Sequence, residues 1–365
     1  MNILIFIIML LVLVVVHEFG HFFAAKRFGI RVDEFGFGFP PKLFGIKKGE
    51  TEYTLNALPF GGFVKIFGEN PDEENTSGPD AKRSFVNKPR WKQAIVLFAG
   101  IFSNFLLAWL LFSIGFMSGL PTSVGSQPAG YTLHDVNLVV VSVMEKSPAA
   151  LAGLKSGDKI LNVNANGETI IDTINPDTFK AFIVAHPEGV TVSYSRGKNA
   201  PVQEASMVPE KMDSGDPLIG ISMDEVGTAR LPFFKAFAEG LKLDWSVTKG
   251  TVVGLYSLIR DSVQGHGSLA SVTGPVGMVG IVGDAYQFGW AYLFSFAALI
   301  SVNLAIINLI PFPALDGGRL FFLLIEKIKG SRINPKIANT INMVGFALLI
   351  LLMLVVTYHD IAKLF

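Results

Sequence analysis

A chain of 365 residues that is 50% hydrophobic, only 16% charged and neutral overall is too apolar for an ordinary soluble enzyme, and it carries no basic footprint for nucleic acid. It contains no cysteine, which removes disulfides, thiolate nucleophiles and Cys-ligated zinc and leaves His, Asp and Glu as metal ligands. These values fit a multispanning membrane protein with some water-exposed mass.

The first predicted element is an apolar helix over 2–25, long enough to cross a bilayer at about 1.5 Å per residue. Between Ile3 and Ala25 its only ionisable residues are His17, Glu18 and His21. Positions i and i+4 share a helix face, so the two histidines can hold one metal ion together. Glu18 can then reach a water on that metal as general base. A charged side chain at membrane depth costs about 2.5–3.5 kcal/mol, so three such groups within five residues mark a function. The run lacks a basic n-region and a small-x-small exit, which predicts a retained span and not a cleaved signal peptide.

Further spans are expected at 94–120, 287–310 and 338–357. Segment 26–92 holds twelve Lys/Arg; segment 121–286 also holds twelve, over more than twice the length. Arg319, Lys327, Lys329, Arg332 and Lys336 crowd the link between the last two spans. This distribution predicts both termini and the 121–286 segment outside the cytoplasm, with His17 and His21 near the cytoplasmic end of their span. The cytoplasmic-side loop 28–92 has unusual content. Phe and Gly alternate within 31–41, and 52–66 reads as strand, turn, strand around Gly61 and Gly62, which predicts short membrane-associated hairpins whose glycines admit close backbone or ligand approach. Residues 69–84 read as a polar, mobile loop. In the second span, Ala99-Gly100 and Ser103-Asn104 favour close helix packing, and the Asn104 amide serves either packing or chemistry.

Residues 122–225 form a soluble domain. A strand at Val136–Val143 precedes a short helix ending at Gly153, a turn at Gly157-Asp158 and a strand at Lys159–Val163. The Ala-Gly-Leu-x-x-Gly-Asp stretch ending at Asp158 and the interrupted Val163-Asn-Ala-Asn-Gly167 resemble a PDZ domain, a module that takes an extended peptide by strand addition. His134 and His186 read as isolated surface residues. Residues 231–275 follow as an amphipathic interfacial helix, with Lys235, Glu239, Lys242 and Asp244 interleaved, and a linker. His266 is expected in a loop, and Gly274-Pro275-Val276-Gly277 breaks the chain before the third span.

That span ends in Asn303–Arg319, where Pro311 and Pro313 break the helix and Gly317-Gly318 follow Asp316. A two-histidine zinc site needs a third protein ligand and an open fourth position. Asp316 reads equally as that ligand or as the N-cap of a helix over 319–328; Glu326, beside Lys327, is the weaker competitor.

His17-Glu-Phe-Gly-His21, Asn308-Leu-Ile-Pro-x-Pro-x-Leu-Asp316-Gly and a PDZ-like segment between spans two and three together resemble the site-2 protease family, in particular its bacterial regulator-of-sigma-E proteases. The resemblance covers almost the whole chain. It implies a polytopic α-helical membrane protein of four transmembrane helices, with membrane-associated β-hairpins and an inserted PDZ-like α+β domain. It implies Zn2+ on His17, His21 and Asp316, with Glu18 as catalytic base. Asn308 would sit beside the scissile carbonyl, and Gly61, Gly62, Pro311 and Pro313 would belong to substrate-binding elements. The location implied is a bacterial inner membrane. The implied substrate is a single-pass membrane protein already trimmed outside, such as an anti-sigma factor or a remnant signal peptide, with a peptide C-terminus as a further ligand of the PDZ-like domain. Two departures stand out: Ile101 where the family often has proline, and one PDZ-like domain where several relatives carry two. One rival is a sporulation-type member of the superfamily, against which the extracytoplasmic PDZ-like domain argues. The other is a non-proteolytic metal-binding scaffold that presents its peptide-binding domain; such a scaffold has no use for Glu18.

Overall fold

A computed structural model describes residues 2–70, 73–144, 146–170, 174–197, 200–211, 217–265, 274–287 and 289–362. His266 lies outside the described residues. The chain opens with helix α1 (Asn2–Arg27), strands β1 (Val32–Lys48) and β2 (Thr51–Ile66), a short helix α2 (Glu73–Ser77) and helix α3 (Arg90–Ser118). Then come β3 (Leu120–Ser123), β4 (His134–Val143), α4 (Pro148–Leu151), β5 (Lys159–Ala165), β6 (Glu168–Ile170) and α5 (Pro176–Ala185). Strands β7 (Val190–Ser195), β8 (Val202–Met207), β9 (Glu210–Lys211), β10 (Pro217–Leu218) and β11 (Ile221–Ala229) follow. The remainder is helical: α6 (Phe233–Val263), α7 (Pro275–Gln287), α8 (Trp290–Leu309), α9 (Asp316–Lys329) and α10 (Pro335–Ala362). Two compact units result, one from Met1–Leu111, Gly240–Gly283 and Phe296–Phe365, the other from Phe112–Glu239 and Asp284–Ser295.

In the first unit the sidedness of α1 decides where chemistry can happen. Phe6, Met9, Leu13, His17, Gly20 and Ala24 recur every three or four residues and are buried. Leu4, Ile8, Val12, Phe19 and Phe23 lie on the other side, each about half exposed. Four helices, α1, α3, α8 and α10, are long and apolar enough to cross a membrane. Helix α10 is the extreme case, since Leu351, Leu352 and Leu354 are 57%, 54% and 57% exposed. In water that would be a large apolar patch; against lipid it is an ordinary surface.

Strands β1 and β2 form one four-segment sheet instead of separate hairpins. Phe35 pairs with both Val64 and Tyr53, so 32–37 lies between 62–66 and 51–55, and 42–48 forms the far edge. Val32 and Ile66 bury against Ala24, Ala25, Val96 and Leu97, while Phe39, Leu43, Phe44 and Leu58 stay exposed. Lys26 at the end of α1 pairs with Glu50 at 2.6 Å, and Arg83 pairs with the same carboxylate. Burial pushes the Glu50 carboxyl up, but the two cations outweigh it and hold it below the usual carboxylate range.

Two expectations change here. The polar stretch 69–84 contains helix α2 and a 3-10 turn at Ala81–Arg83, pinned by Asn87 Nδ2 donating to the carbonyls of Thr76 and Ala81 at 2.9 Å each. Gly274–Gly277 does not merely break the chain; it opens α7. Asp360 of α10 supplies the cap, accepting from the backbone N–H of Gly274 at 3.1 Å and of Gly277 at 2.9 Å. At the other end of α10, Asn342 Oδ1 accepts from Ala314 N–H at 3.2 Å.

The second unit is an antiparallel sheet in the order β3-β11-β4-β5-β7-β8, with β6 on β5. Its core joins Leu138, Val140, Ile160, Val163 and Val192 of the strands to Phe179 and Ile183 of α5. Asp158, fully buried, holds Arg196 by two bonds of 2.6 and 2.7 Å and accepts from Lys155 N–H at 2.8 Å. The Gly157-Asp158 turn is thus a structural anchor. Asp158→Ala removes the carboxylate from Arg196, which keeps only its bond to Gly153 O among those described, and is expected to destabilise this unit by about 1–3 kcal/mol, read as faster hydrogen exchange across β5 and β7. His186 is not an isolated surface residue: its ring Nδ1 lies 2.9 Å from Phe182 O at the end of α5. Strand β3 covers only Val226–Ala229 of β11. The stretch Ile221–Met223 instead lines a cavity of about 630 Å³ with Phe179 and Ile183.

Candidate metal centre

The buried face of α1 carries His17 and His21, each 6% exposed. Asp316 arrives from the start of α9, whose N-cap is Leu315 with no side-chain cap bond. Asp316 is therefore not the N-cap of that helix. Its Oδ2 lies 3.0 Å from His17 Nε2 and 3.1 Å from His21 Nε2, and the two Nε2 atoms are 3.2 Å apart. A tetrahedral zinc with bonds of about 2.0–2.1 Å spaces its ligands about 3.3 Å apart, so the triangle has the size of one face of such a site. Among the described residues this is the group that could hold a metal ion.

The surroundings present the ring nitrogens correctly. His21 Nδ1 lies 2.8 Å from Val96 O, so it carries the proton and leaves Nε2 free to ligate. Behind His17, the fully buried Asn104 amide lies 3.3 Å from Nδ1, and its Oδ1 has no partner when the nitrogen faces the ring. With the amide turned, Oδ1 accepts from His17 Nδ1–H, which satisfies the orphan oxygen and frees the second Nε2 for metal. Asn104 thus reaches one histidine of the triangle from within the helix packing.

Tight backbone approaches hold these groups. A Cβ on Gly317 would meet the carbonyl oxygens of Leu309 and Ile310, and one on Gly318 that of Phe312. Ala314 adopts φ 74° in the same turn. Pro311 and Pro313 shape this return and do not line the metal cavity. Helices α1 and α3 meet through glycines: Gly20 faces Ala99 O and Ser103, while Gly100 faces the His21 ring. Gly100→Ala pushes against that imidazole and is expected to weaken zinc binding by about 10–100-fold in chelator competition, the range for losing ligand support.

A cavity of about 320 Å³ opens on the triangle and is lined by Glu18, Asn308, Phe63, Val64 and Arg319 among others. Glu18 Oε2 accepts from Val64 N–H at 3.1 Å. Segment 62–66 is the outer edge of the sheet, so this edge faces the cavity. Gly61 and Gly62 lie against Val14 and Val15 of α1; a Cβ on Gly62 would also touch Glu18 Cγ. The tight approach at Gly62 is to the Gly36 carbonyl oxygen of the neighbouring segment, and Gly61 turns the chain at φ 98°. Glu326 stands apart, accepting from Ile333 N–H at 2.9 Å and 3.8 Å from Arg90. Sequence reasoning missed Val64, whose backbone N–H has no side-chain signature, and Arg319 with its partner Glu69.

Two histidines one helical turn apart, an aspartate from a distant helix and a glutamate on the same cavity are the constellation of a zinc metalloprotease. The pattern described as "Peptidase family M50" matches residues 5–352, and the chain belongs to that family, the site-2 proteases. It is 34% identical over 99% of its length to a protein of Clostridium acetobutylicum with a provisional zinc-metalloprotease name, 97% of which is covered. It is also 30% identical over its full length to zinc metalloprotease RasP of Shouchella clausii and to RasP of Geobacillus kaustophilus, covering 99% and 98% of those proteins. Among solved structures, the PDZ domain of an SdrC-like protein of Listeria innocua aligns with a TM-score of 0.20 at 27% identity, over 24% of this chain and 92% of that one. Zinc is the cofactor of this protein.

Proposed function

We propose that the protein hydrolyses a peptide bond inside the transmembrane segment of single-pass membrane proteins, with His17, His21 and Asp316 as zinc ligands and Glu18 as the base. The observation that carries this reading is the ligand triangle on the inner face of an apolar helix, beside a sheet edge that turns toward it. Bound zinc supplies Lewis acidity and lowers the pKa of a water. Glu18 accepts the proton from that water at its carboxylate, held in place by Val64 N–H. The Asn308 amide donates to the carbonyl oxygen as charge develops there, a role worth about 2.7–4 kcal/mol in other acyl-transfer sites.

A substrate helix hides its carbonyls in i to i−4 bonds and must unwind before it can be cut. Pairing with the groups of the 62–66 edge other than Val64 N–H, which holds Glu18, replaces lost backbone bonds. The basic residues of 26–92 and of the α9–α10 link support a cytoplasmic position for this edge, with both termini and the PDZ-like unit outside a bacterial inner membrane. Substrates of this kind, an anti-sigma factor or a remnant signal peptide, would be trimmed on the outer side first. The groove between α5 and Ile221–Met223 supports a peptide-binding role for the PDZ-like unit.

Mass spectrometry of single-span peptides incubated with the purified protein in detergent tests the reading. The expected cut falls within the apolar span, disappears on chelation and returns with zinc. Cuts confined to soluble flanks, or indifferent to chelation, overturn it.

A further inference from the structure

Arg319 and Glu69 line two cavities at once. One is the metal cavity; the other, of about 430 Å³, is lined by the starts of α3 and α10 and by α9. The two side chains form an ion pair, so the pair is a wall that both cavities share. Charged residues lining the second cavity are Lys88, Arg90, Arg319 and Arg332 against Glu69 and Glu326. Four positive and two negative groups leave an excess of two positive charges, which suits an anion.

Hydrolysis of a peptide bond turns a neutral amide into a carboxylate and an amine. On the reading proposed above, on which this inference rests, the carboxylate appears in the metal cavity beside Arg319. A guanidinium binds carboxylates through two parallel N–H···O bonds, and the Glu69 side chain and a new peptide C-terminus are the same chemical ligand. We propose that Arg319 is the product-carboxylate site: the new α-carboxylate replaces Glu69 on Arg319, opens the shared wall and passes into the second cavity, where Lys88 and Arg332 balance its charge. The exchange breaks no covalent bond. An uncut substrate offers only neutral amides and leaves the Arg319–Glu69 pair closed, so the wall opens after the bond is cut and not before.

The test uses the zinc-loaded full chain in detergent and two fluorescent peptides of one sequence, ending in a free carboxylate or a carboxamide, with binding read by anisotropy. The acid is expected to bind about tenfold or more tighter than the amide, the effect of a charge-assisted bond. Arg319→Gln is expected to abolish the preference. Glu69→Gln removes the competitor and is expected to tighten the acid several-fold while leaving the amide unchanged, so a variant that keeps Arg319 checks the idea from the opposite direction. Equal affinities in the wild type overturn the proposal, as does failure of both peptides to bind. A preference that survives Arg319→Gln overturns it too, as does one lost on chelation with Arg319 intact, which assigns the carboxylate to the metal. Cleavage assayed in parallel separates the two readings. Cleavage without acid preference removes this site alone, and acid preference without cleavage removes the protease reading alone.

Discussion

Glu18→Gln is expected to yield a protein that folds and binds zinc as the wild type does but no longer cuts. The amide has the shape of the carboxylate, and its oxygen can still accept from Val64 N–H, so the strand edge and α1 keep their relation. It cannot take a proton from water. General bases contribute about 10²–10⁴ to rate, and a loss of that size is expected in single-turnover cleavage, with zinc content unchanged. Cleavage within about tenfold of wild type would assign the base to another group, because so small a loss lies below the range for a positioned base.

Asp316→Ala is expected to remove the metal itself. His17 and His21 alone make a two-ligand site, one short of the three that catalytic zinc takes from protein. Zinc content is expected to fall from about one per chain to near zero after dialysis, and cleavage to vanish with it. Zinc also stabilises the folded chain by about 2.7 kcal/mol at a hundred times its dissociation constant, so the wild type melts at higher temperature with zinc than without. The variant is expected to show no such shift. A variant that keeps a full complement of zinc would assign the third ligand elsewhere.

The contrast between these residues explains what could be read in advance. His17, Glu18 and His21 announce themselves because nothing else between Ile3 and Ala25 ionises. Asp316 is ambiguous in sequence because a cap and a ligand share one signature, an acid before glycines at a helix start; Leu315 takes the cap and releases the carboxylate. The inner face of α1 is invisible in sequence, since lipid and protein both select apolar residues. The pairing of 32–37 with 62–66 is likewise hidden, because strand periodicity reports alternation within a run and not its partners. Helix α7 escaped notice because Gly274, Gly277, Gly280 and Gly283 argue against helix, and its cap, Asp360, lies 86 residues from Gly274.

Helix α10, whose apolar side chains are so exposed, is anchored near each end. Asn342 holds the turn that delivers Asp316, Gly345 packs on Pro313 in that turn, and Asp360 holds α7. Eighteen residues separate Asn342 from Asp360, about 27 Å along a helix, close to the roughly 30 Å of a bilayer's hydrocarbon. The span between its two anchors thus matches the thickness of a bilayer's apolar layer. A shift of this helix along its own axis would therefore be felt at once in the turn that precedes α9 and Asp316.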